Sequence, residues 1–181
     1  MTNQDYFNAC FQYDQESGRL YWKKRPIEHF RNERGFKCFN AQKSGKEAGC
    51  ISRHGEIDYY KVRLNKSKLY FSHRVIWVMH NGDIPDGLDI DHKDGDGLNN
   101  RLDNLRVVTH SGNMKNRRLA SHNKSGCHGI NWVPRLSKWV VQITSDGYTK
   151  HLGTFADFYD AVAARKAAEA ELGFHENHGR K

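Results

Sequence analysis

Long apolar segments are missing from this sequence, and hydrophobic residues are scarce. Of its 181 residues, 37% are hydrophobic and 28% are charged, and the mean hydropathy is -0.87. No stretch approaches the roughly 18 consecutive apolar residues of a membrane-spanning helix, and residues 1–6 show no basic start followed by an apolar run. These absences argue against a membrane protein and against one large core. They predict several small modules in a cytoplasmic protein that is not secreted.

Closely spaced cysteines are missing as well. The four cysteines, Cys10, Cys38, Cys50 and Cys127, lie far apart and form no Cys-x-x-Cys pair. This spacing argues against a zinc ribbon and against a disulfide framework. We therefore predict that all four are reduced and structural.

Acidic residues are outnumbered, and they are unevenly placed. The formal net charge is +8, with a pI near 9.4. Basic and acidic residues number 14 and 8 over 1–70, 7 and 7 over 71–120, and 8 and 6 over 121–181. A basic chain favours a polyanionic partner, and a neutral centre between basic flanks is expected for a cation site between nucleic-acid-binding arms. Loop and turn positions are the favoured interpretation for four of the central aspartates, Asp83, Asp86, Asp94 and Asp96.

The central segment contains carboxylate, imidazole and amide side chains in a compact order. Asp91 and His92 are adjacent, and Asn104 and Asn113 complete a set that occupies the 23 positions from 91 to 113. Neighbouring residues at a strand end point in different directions, so one can hold a divalent cation while the other deprotonates water. The order predicts a one-metal phosphodiester hydrolase.

Three segments around these residues carry Asp-His, Asn-Leu-Arg and a later Asn in register, at 90–96, 99–106 and 109–116. Over roughly residues 70–118 the chain resembles the HNH endonuclease family in its phage and intron homing form. The resemblance implies two strands and a helix closed around one metal ion. It also implies double-stranded DNA as the partner, in a bacterial or phage-infected cell.

The resemblance assigns a role to each of the four residues. Asp91 and Asn113 resemble the metal ligands, His92 resembles the general base, and Asn104 resembles the residue that fixes the loop carrying the base. Carboxylate and amide oxygens suit a hard ion, so Mg²⁺, with Mn²⁺ possible, is the expected cofactor. A helix is predicted to carry Asn113 together with Asn116, Arg117 and Arg118, and its two arginines are expected to contact DNA.

The N-terminal region reads as β-rich and basic. Residues 11–22 predict two strands joined by a Gly-containing turn, and they are followed by a basic run expected to contact DNA, Lys23, Lys24 and Arg25. Residues 27–47 predict a basic loop, either lying along phosphates or simply solvated. Strands are expected over 57–64 and 69–71 with a turn at 65–68, and then a helix over 73–80 that Ser72 would cap. His73 and Arg74 are interpreted as structural contacts.

A second pattern begins after a polar linker. It consists of Gly-Ile-Asn-Trp at 129–132, Trp-Val-Val-Gln-Ile at 139–143, Leu-Gly-Thr-Phe at 152–155 and an alanine-rich segment at 161–168. Over about residues 125–173 this resembles an AP2 DNA-binding domain, which implies three antiparallel strands packed on one helix. The candidate DNA contacts are Arg135, Lys138, Trp139, Gln142, Thr144, Lys150 and His151. For Trp132 and Trp139 a place in the core is an equal alternative.

The sequence thus predicts an α+β protein of small modules. The expected divisions are an N-terminal β-rich basic region (1–69), a nuclease core (70–118), a linker (119–124) and a strand-rich DNA-binding domain (125–181). The predicted activity is metal-dependent hydrolysis of DNA, by nicking or by double-strand cutting. Two alternatives remain open: a non-catalytic DNA-binding protein, and a metal-stabilised structural module. The oligomeric state cannot be inferred from the sequence.

Overall fold

The computed structural model describes residues 2–64 and 68–180, and the chain divides between Val107 and Val108 into two compact units. Both units mix helices and strands, as an α+β fold requires. Among the described residues, no helix is both long and apolar enough to cross a membrane. The turn predicted at 65–68 falls mainly on residues 65–67, outside the described residues.

The first unit contains, in chain order, α1 (Asn3–Cys10), β1 (Phe11–Asp14), β2 (Arg19–Trp22), α2 (Glu33–Lys43), β3 (Cys50–His54), β4 (Ile57–Arg63), β5 (Leu69–Phe71), α3 (Ser72–Asn81), β6 (Leu88–His92) and β7 (Leu105–Thr109). The last two residues of β7 belong to the second unit. Strands β1 and β2 form an antiparallel hairpin, β3, β4 and β5 form an antiparallel sheet in that order, and β6 pairs with β7.

The core of the first unit forms where α1 and α3 pack against the two hairpin strands. Phe11, Leu20, Val75 and Ile76 are completely or almost completely buried there. The alternation of apolar and polar residues in β2 and the apolar face of α3 explain this packing. Strands β1, β2, β4 and β5 and helix α3 confirm the corresponding predictions. The prediction that Ser72 caps α3 was wrong, because Phe71 is the residue that precedes the helix and Ser72 is its first residue.

Two helices were not predicted in the N-terminal region, so its description as β-rich was incomplete. Helix α1 begins at Asn3 and is capped by Thr2, whose side chain accepts from the Asp5 N–H while the Asp5 side chain accepts from the Thr2 backbone N–H. Helix α2 replaces much of the basic loop expected over 27–47, and Asn32 caps it by accepting from Gly35 N–H at 2.8 Å. Both starts follow the preference for Thr and Asn at N-caps.

Arg25 is 3% exposed, which corrects its assignment as a DNA contact. Its guanidinium lies 4.9 Å from the ring centroid of Phe30 and 5.0 Å from that of Phe39. It also donates to the carbonyl of Leu64 at 3.3 Å and to the hydroxyl of Tyr6 at 3.2 Å. Aromatic faces and neutral acceptors therefore hold this charge inside the unit. Lys23 and Lys24 are exposed, and their role as DNA contacts stays a prediction.

Replacement of Arg25 by alanine is expected to lower the free energy of unfolding by about 3 kcal/mol, because it leaves a void among the rings and two acceptors without their donor. Urea unfolding measures the change. The exposed neighbour Lys24 provides the control, since Lys24→Ala should alter the free energy of unfolding by no more than about 0.5 kcal/mol. If Arg25→Ala were as stable as the wild type but bound DNA more weakly, Arg25 would instead be a DNA-contacting residue.

The second unit contains α4 (His110–Met114), β8 (Ile130–Val133), β9 (Lys138–Ser145), β10 (Tyr148–Phe155) and α5 (Phe158–Glu171). The three strands form an antiparallel sheet in the order β10-β9-β8, and α5 packs on one face of it, where Ala161 of the helix joins Ile130 and Val141 of the sheet in the core. Asp146 and Gly147 have positive φ at the β9–β10 turn, as the Asp-Gly pair predicts. The three strands and the helix follow the predicted order, and their assignment as an AP2 domain stays a prediction.

The segment after α5 folds back onto the segment after α4, within the second unit. Leu119 N–H donates to the carbonyl of Arg180 at 2.8 Å, Gly179 N–H to that of Arg117 at 2.9 Å, and His175 N–H to that of Lys115 at 3.1 Å. The Arg180 side chain adds a bond to the carbonyl of Asn116 at 2.8 Å. We call these bonds the C-terminal clasp. They explain why the predicted linker at 119–124 belongs to the same compact unit as α4 and the sheet.

Candidate active site

Strand β6 carries Asp91 and His92 at its buried end. They are 7% and 5% exposed, and they follow the buried Ile90. The Asp91 carboxylate and the His92 imidazole are therefore held by the core of the first unit rather than by a solvated loop. Such support fixes side-chain geometry, which a reacting group requires.

Asp91 forms an ion pair with an arginine of the partner strand. One carboxylate oxygen, Oδ2, accepts from Arg106 Nε at 2.9 Å and from Arg106 Nη2 at 2.8 Å. Two bonds from a guanidinium orient the carboxylate and offset the cost of burying its charge. Arg106 lies within the Asn-Leu-Arg motif, but its contact with Asp91 was not predicted.

His92 forms a hydrogen bond with a residue that sequence reasoning missed. Its Nε2 lies 2.9 Å from Oδ1 of Asn100, which is only 1% exposed. An amide oxygen only accepts, so Nε2 carries the proton and Nδ1 is the basic nitrogen of this tautomer. Asn100 thereby fixes both the ring orientation and the tautomer of His92. The one sequence signal for it is its position in the Asn-Asn-Arg stretch that follows the Asp-His pair.

The loop between β6 and β7 is braced by Asn104. Its Nδ2 donates to Asp94 Oδ1 at 2.9 Å and to the Asn99 carbonyl at 2.8 Å, and its Oδ1 accepts from Asp94 N–H at 3.1 Å. Lys93 N–H also donates to the carbonyl of Asn104 at 2.9 Å. These bonds hold the loop that follows His92, and the predicted role of Asn104, fixing the loop that carries the base, stays a prediction.

Asp94 is a turn residue, as expected, and it is also a central acceptor of this loop. Burial would raise the pKa of Asp94, but hydrogen bonds from the N–H of Asp96 and from the side chains of Asn104 and Asn99 outweigh it and lower that pKa below its ordinary value. The carboxylate form is thus the one that holds the loop together.

An aromatic group lies against the His92 ring. The His73 ring centroid is 4.8 Å from that of His92 in an edge-to-face arrangement, and the Tyr59 centroid is 5.9 Å away. Burial, with smaller effects from the nearby His92 and Arg74, keeps the pKa of His73 well below its ordinary value. A neutral His73 packs beside His92, in accordance with its interpretation as a structural contact.

Gly97 allows the loop to approach β4 closely. A Cβ atom at this position would lie 2.5 Å from the Asp58 carbonyl oxygen and 2.7 Å from the Tyr59 ring. Only glycine therefore permits this contact between the loop and the aromatic group beside His92.

The fourth predicted residue, Asn113, lies on α4 in the second unit. Thr109 caps this helix by accepting from Gly112 N–H at 3.1 Å. The helix ends at Met114, however, so Asn116, Arg117 and Arg118 lie beyond it, which corrects the prediction that one helix carries them together with Asn113. The clasp accounts for the early end, because the carbonyls of Lys115 and Arg117 accept from the C-terminal segment.

The donor set suits a hard cation. Among the described residues, no group of three or more His, Cys, Asp or Glu side chains is arranged to hold a metal ion. The predicted ligands are one carboxylate, from Asp91, and one amide oxygen, from Asn113. Such oxygens, with water and phosphate oxygens completing the shell, match the preference of Mg²⁺.

The candidate DNA contacts of the second unit separate onto different surfaces. Register places Gln142 opposite His151 and Thr144 opposite Thr149, on the face of the sheet away from α5, which we call the outer face. Lys138 shares this face by alternation along β9. The remaining three candidates lie elsewhere: Arg135 in a short turn of helix before β9, and Trp139 and Lys150 on the face toward α5.

Trp139 belongs with the core of the second unit rather than with the outer face. Its ring centroid is 4.8 Å from that of Phe158 on α5, and it packs against the cluster formed by Ile130, Val141 and Ala161. The core alternative considered for this tryptophan is the one that its packing supports.

The four cysteines are free, as expected from their spacing. Only Cys10 has the buried position expected of a structural residue, while Cys38 and Cys50 are exposed and Cys127 is half-buried.

Comparison with known proteins gives three findings. Residues 70–115 match the family model of an HNH endonuclease. The chain is 36% identical over 91 residues to Protein 3.8 of Escherichia phage T7, and the alignment covers 50% of this chain and 74% of that protein. The HNH homing endonuclease I-HmuI is a structural neighbour with a TM-score of 0.42 and 23% sequence identity, over 91% of this chain and 78% of that one. The span 70–115 contains all four residues predicted to take part in the reaction.

Proposed function

Because this chain belongs to the family of Protein 3.8 of Escherichia phage T7 and contains an HNH endonuclease domain, we propose that it is a metal-dependent endonuclease, of homing type, that hydrolyses phosphodiester bonds in double-stranded DNA. The observation that carries this proposal is the buried Asp91–His92 pair at the end of β6. Asn100 holds the histidine of this pair, and Asn104 braces the loop after it.

His92 acts as the general base. With the proton on Nε2 held by Asn100, Nδ1 takes the proton from the water that attacks phosphorus. The short bond to a buried amide keeps the ring from rotating, so the basic nitrogen stays directed toward the substrate. The neutral ring of His73 beside it adds no competing positive charge.

Asp91 and Asn113 are the residues that would hold the divalent ion, expected to be Mg²⁺ with Mn²⁺ as an alternative. A bound ion would supply positive charge to offset the negative charge that develops during hydrolysis. Arg106 orients the Asp91 carboxylate through its two bonds to Oδ2. These contacts support a role for Arg106 as a positioning residue for Asp91.

DNA binding is assigned to the basic surfaces outside this pair. Lys23 and Lys24 in the first unit, and Arg117 and Arg118 after α4, provide phosphate contacts. The AP2-like domain, taken as residues 125–181, contributes the outer face of its sheet. The candidate side chains on that face are Lys138, Gln142, Thr144 and His151.

The test is to incubate supercoiled plasmid with the protein in Mg²⁺, in Mn²⁺ or in chelator, and to follow the nicked and linear forms on a gel. Cleavage is expected in either metal and is expected to stop in chelator, with cleavage restored when Mg²⁺ is added back. Chelator should leave the unfolding midpoint of the protein almost unchanged. Plasmid that is bound but uncut in both metals would instead favour the non-catalytic DNA-binding protein. Unfolding of the protein in chelator would favour the metal-stabilised structural module.

A further inference from the structure

An open groove in the second unit lies between residues 117–128 and strand β8, at the edge of the sheet. Its volume is about 640 Å³, within the range of roughly 300–1,000 Å³ that is usual for small-ligand sites. Indole, imidazole and cationic side chains line much of it: Trp132 and Trp139, His122 and His128, and Arg117 and Lys124. None of the described residues that line the groove is acidic. This composition favours a ligand that combines an aromatic ring with negative charge.

Trp132 is the exposed aromatic side chain of the groove. It is 46% exposed although it is the largest type of apolar side chain. Its ring contacts that of Trp139 edge to face, with centroids 5.1 Å apart, and Trp139 in turn packs on Phe158. Trp132 is therefore supported from behind by the core while part of its own surface faces solvent. A fixed, half-exposed indole of this kind is a stacking platform.

Arg117 and Lys124 provide the charge. Both side chains are exposed, and within residues 2–64 and 68–180 neither forms an ion pair or a side-chain hydrogen bond. The described residues thus leave these two cations uncompensated, and none of those that line the groove is acidic. Two such cations beside an indole complement the phosphates that flank a base.

We propose that this groove binds an unpaired base of a DNA strand, with the base stacked on Trp132 and its phosphates held by Arg117 and Lys124. Neighbouring pairs cover both faces of a base inside a duplex, so an exposed indole stacks only on a base that has left the helix. The inference rests on the proposed action on DNA, and adds a substrate feature to it. The groove lies apart from the outer face of the sheet, which is proposed to meet intact duplex.

Fluorescence anisotropy in chelator tests the proposal with three labelled DNAs: an oligothymidine strand, a fully paired duplex, and the same duplex with one bulged thymine. The wild-type protein should bind the bulged duplex more tightly than the paired one. Trp132→Ala should weaken binding to the strand about 5- to 100-fold and abolish the preference for the bulge. Trp132→Phe, which keeps a stacking ring, should stay within about threefold of the wild type.

Tyr148 provides the matched control, because it is 83% exposed in the same unit and does not line the groove. Tyr148→Ala should bind all three DNAs like the wild type. Equal affinity of Trp132→Ala and wild type for the strand would overturn the proposal, and so would an equal loss in Tyr148→Ala. Tighter binding to the paired duplex than to the bulged one would assign the groove to intact DNA instead. Since the assay contains no metal, failure of cleavage and failure of this inference are separate results.

Discussion

His92→Ala is expected to cleave plasmid at least about 100-fold more slowly than the wild type, because no other side chain replaces the base that takes the proton from water. His92→Gln should lose as much activity. Its amide N–H can still donate to Asn100, so this variant keeps the buried contact while removing the basic nitrogen. Single-turnover cleavage in Mg²⁺ measures both rates.

The control for this prediction is His80→Ala. His80 is exposed on α3 in the same unit, and it contacts the ring of Tyr13 rather than the Asp91–His92 pair. Its cleavage rate should match that of the wild type. A folded His92→Gln protein that keeps more than about a tenth of wild-type activity would remove His92 from the role of general base.

Asn100→Leu is expected to reduce the cleavage rate about 10- to 100-fold while leaving DNA affinity in chelator unchanged. Leucine has a similar size but no acceptor, so the His92 ring loses the bond that fixes its tautomer and orientation. Asn100→Asp retains an acceptor and should be the more active of the two variants. The difference in cleavage rate between the two variants distinguishes the effect of the hydrogen-bond acceptor from the effect of side-chain shape.

A second measurement shows whether Asn100 acts through His92. In the metal-free wild-type protein, the ¹⁵N spectrum of the His92 ring should show the proton on Nε2, and in Asn100→Leu it should show a mixture of tautomers. Wild-type cleavage by Asn100→Leu would contradict the positioning role. An unchanged ring spectrum beside reduced cleavage would contradict it as well, since the loss would then arise elsewhere.

Local patterns predicted the parts of the fold that local interactions determine. Alternating side chains predicted β1, β2 and β4, and an Asp-Gly pair predicted the turn between β9 and β10, because strands and tight turns are specified within a few residues. Helix α2 was missed since its sequence contains Gly35, which disfavours helix, while the aromatic packing that stabilises it comes from elsewhere. Phe39 of α2 lies edge to face with Trp22, at 5.0 Å.

The same distinction applies to the candidate site. Asp91, His92 and Asn104 could be selected from the sequence because they belong to a short motif. The structure places them in or directly beside the two paired strands. The contacts of Asn100 and Arg106 were not, because a hydrogen-bond partner depends on how a loop closes in space. Arg25 failed for a related reason: the rings and acceptors that surround it come from distant positions, so the basic run around it resembled an exposed DNA contact.

The C-terminal clasp can form only late in the synthesis of the chain. Asn116 and Arg180, which it joins, are 64 positions apart, so on the ribosome residues 115–119 emerge well before their partners are made. Contacts of such sequence separation form late. A nascent chain that has reached only α5 contains the whole sheet, yet the carbonyls beyond α4 still lack their donors. The clasp is therefore completed only after residue 180 has been translated.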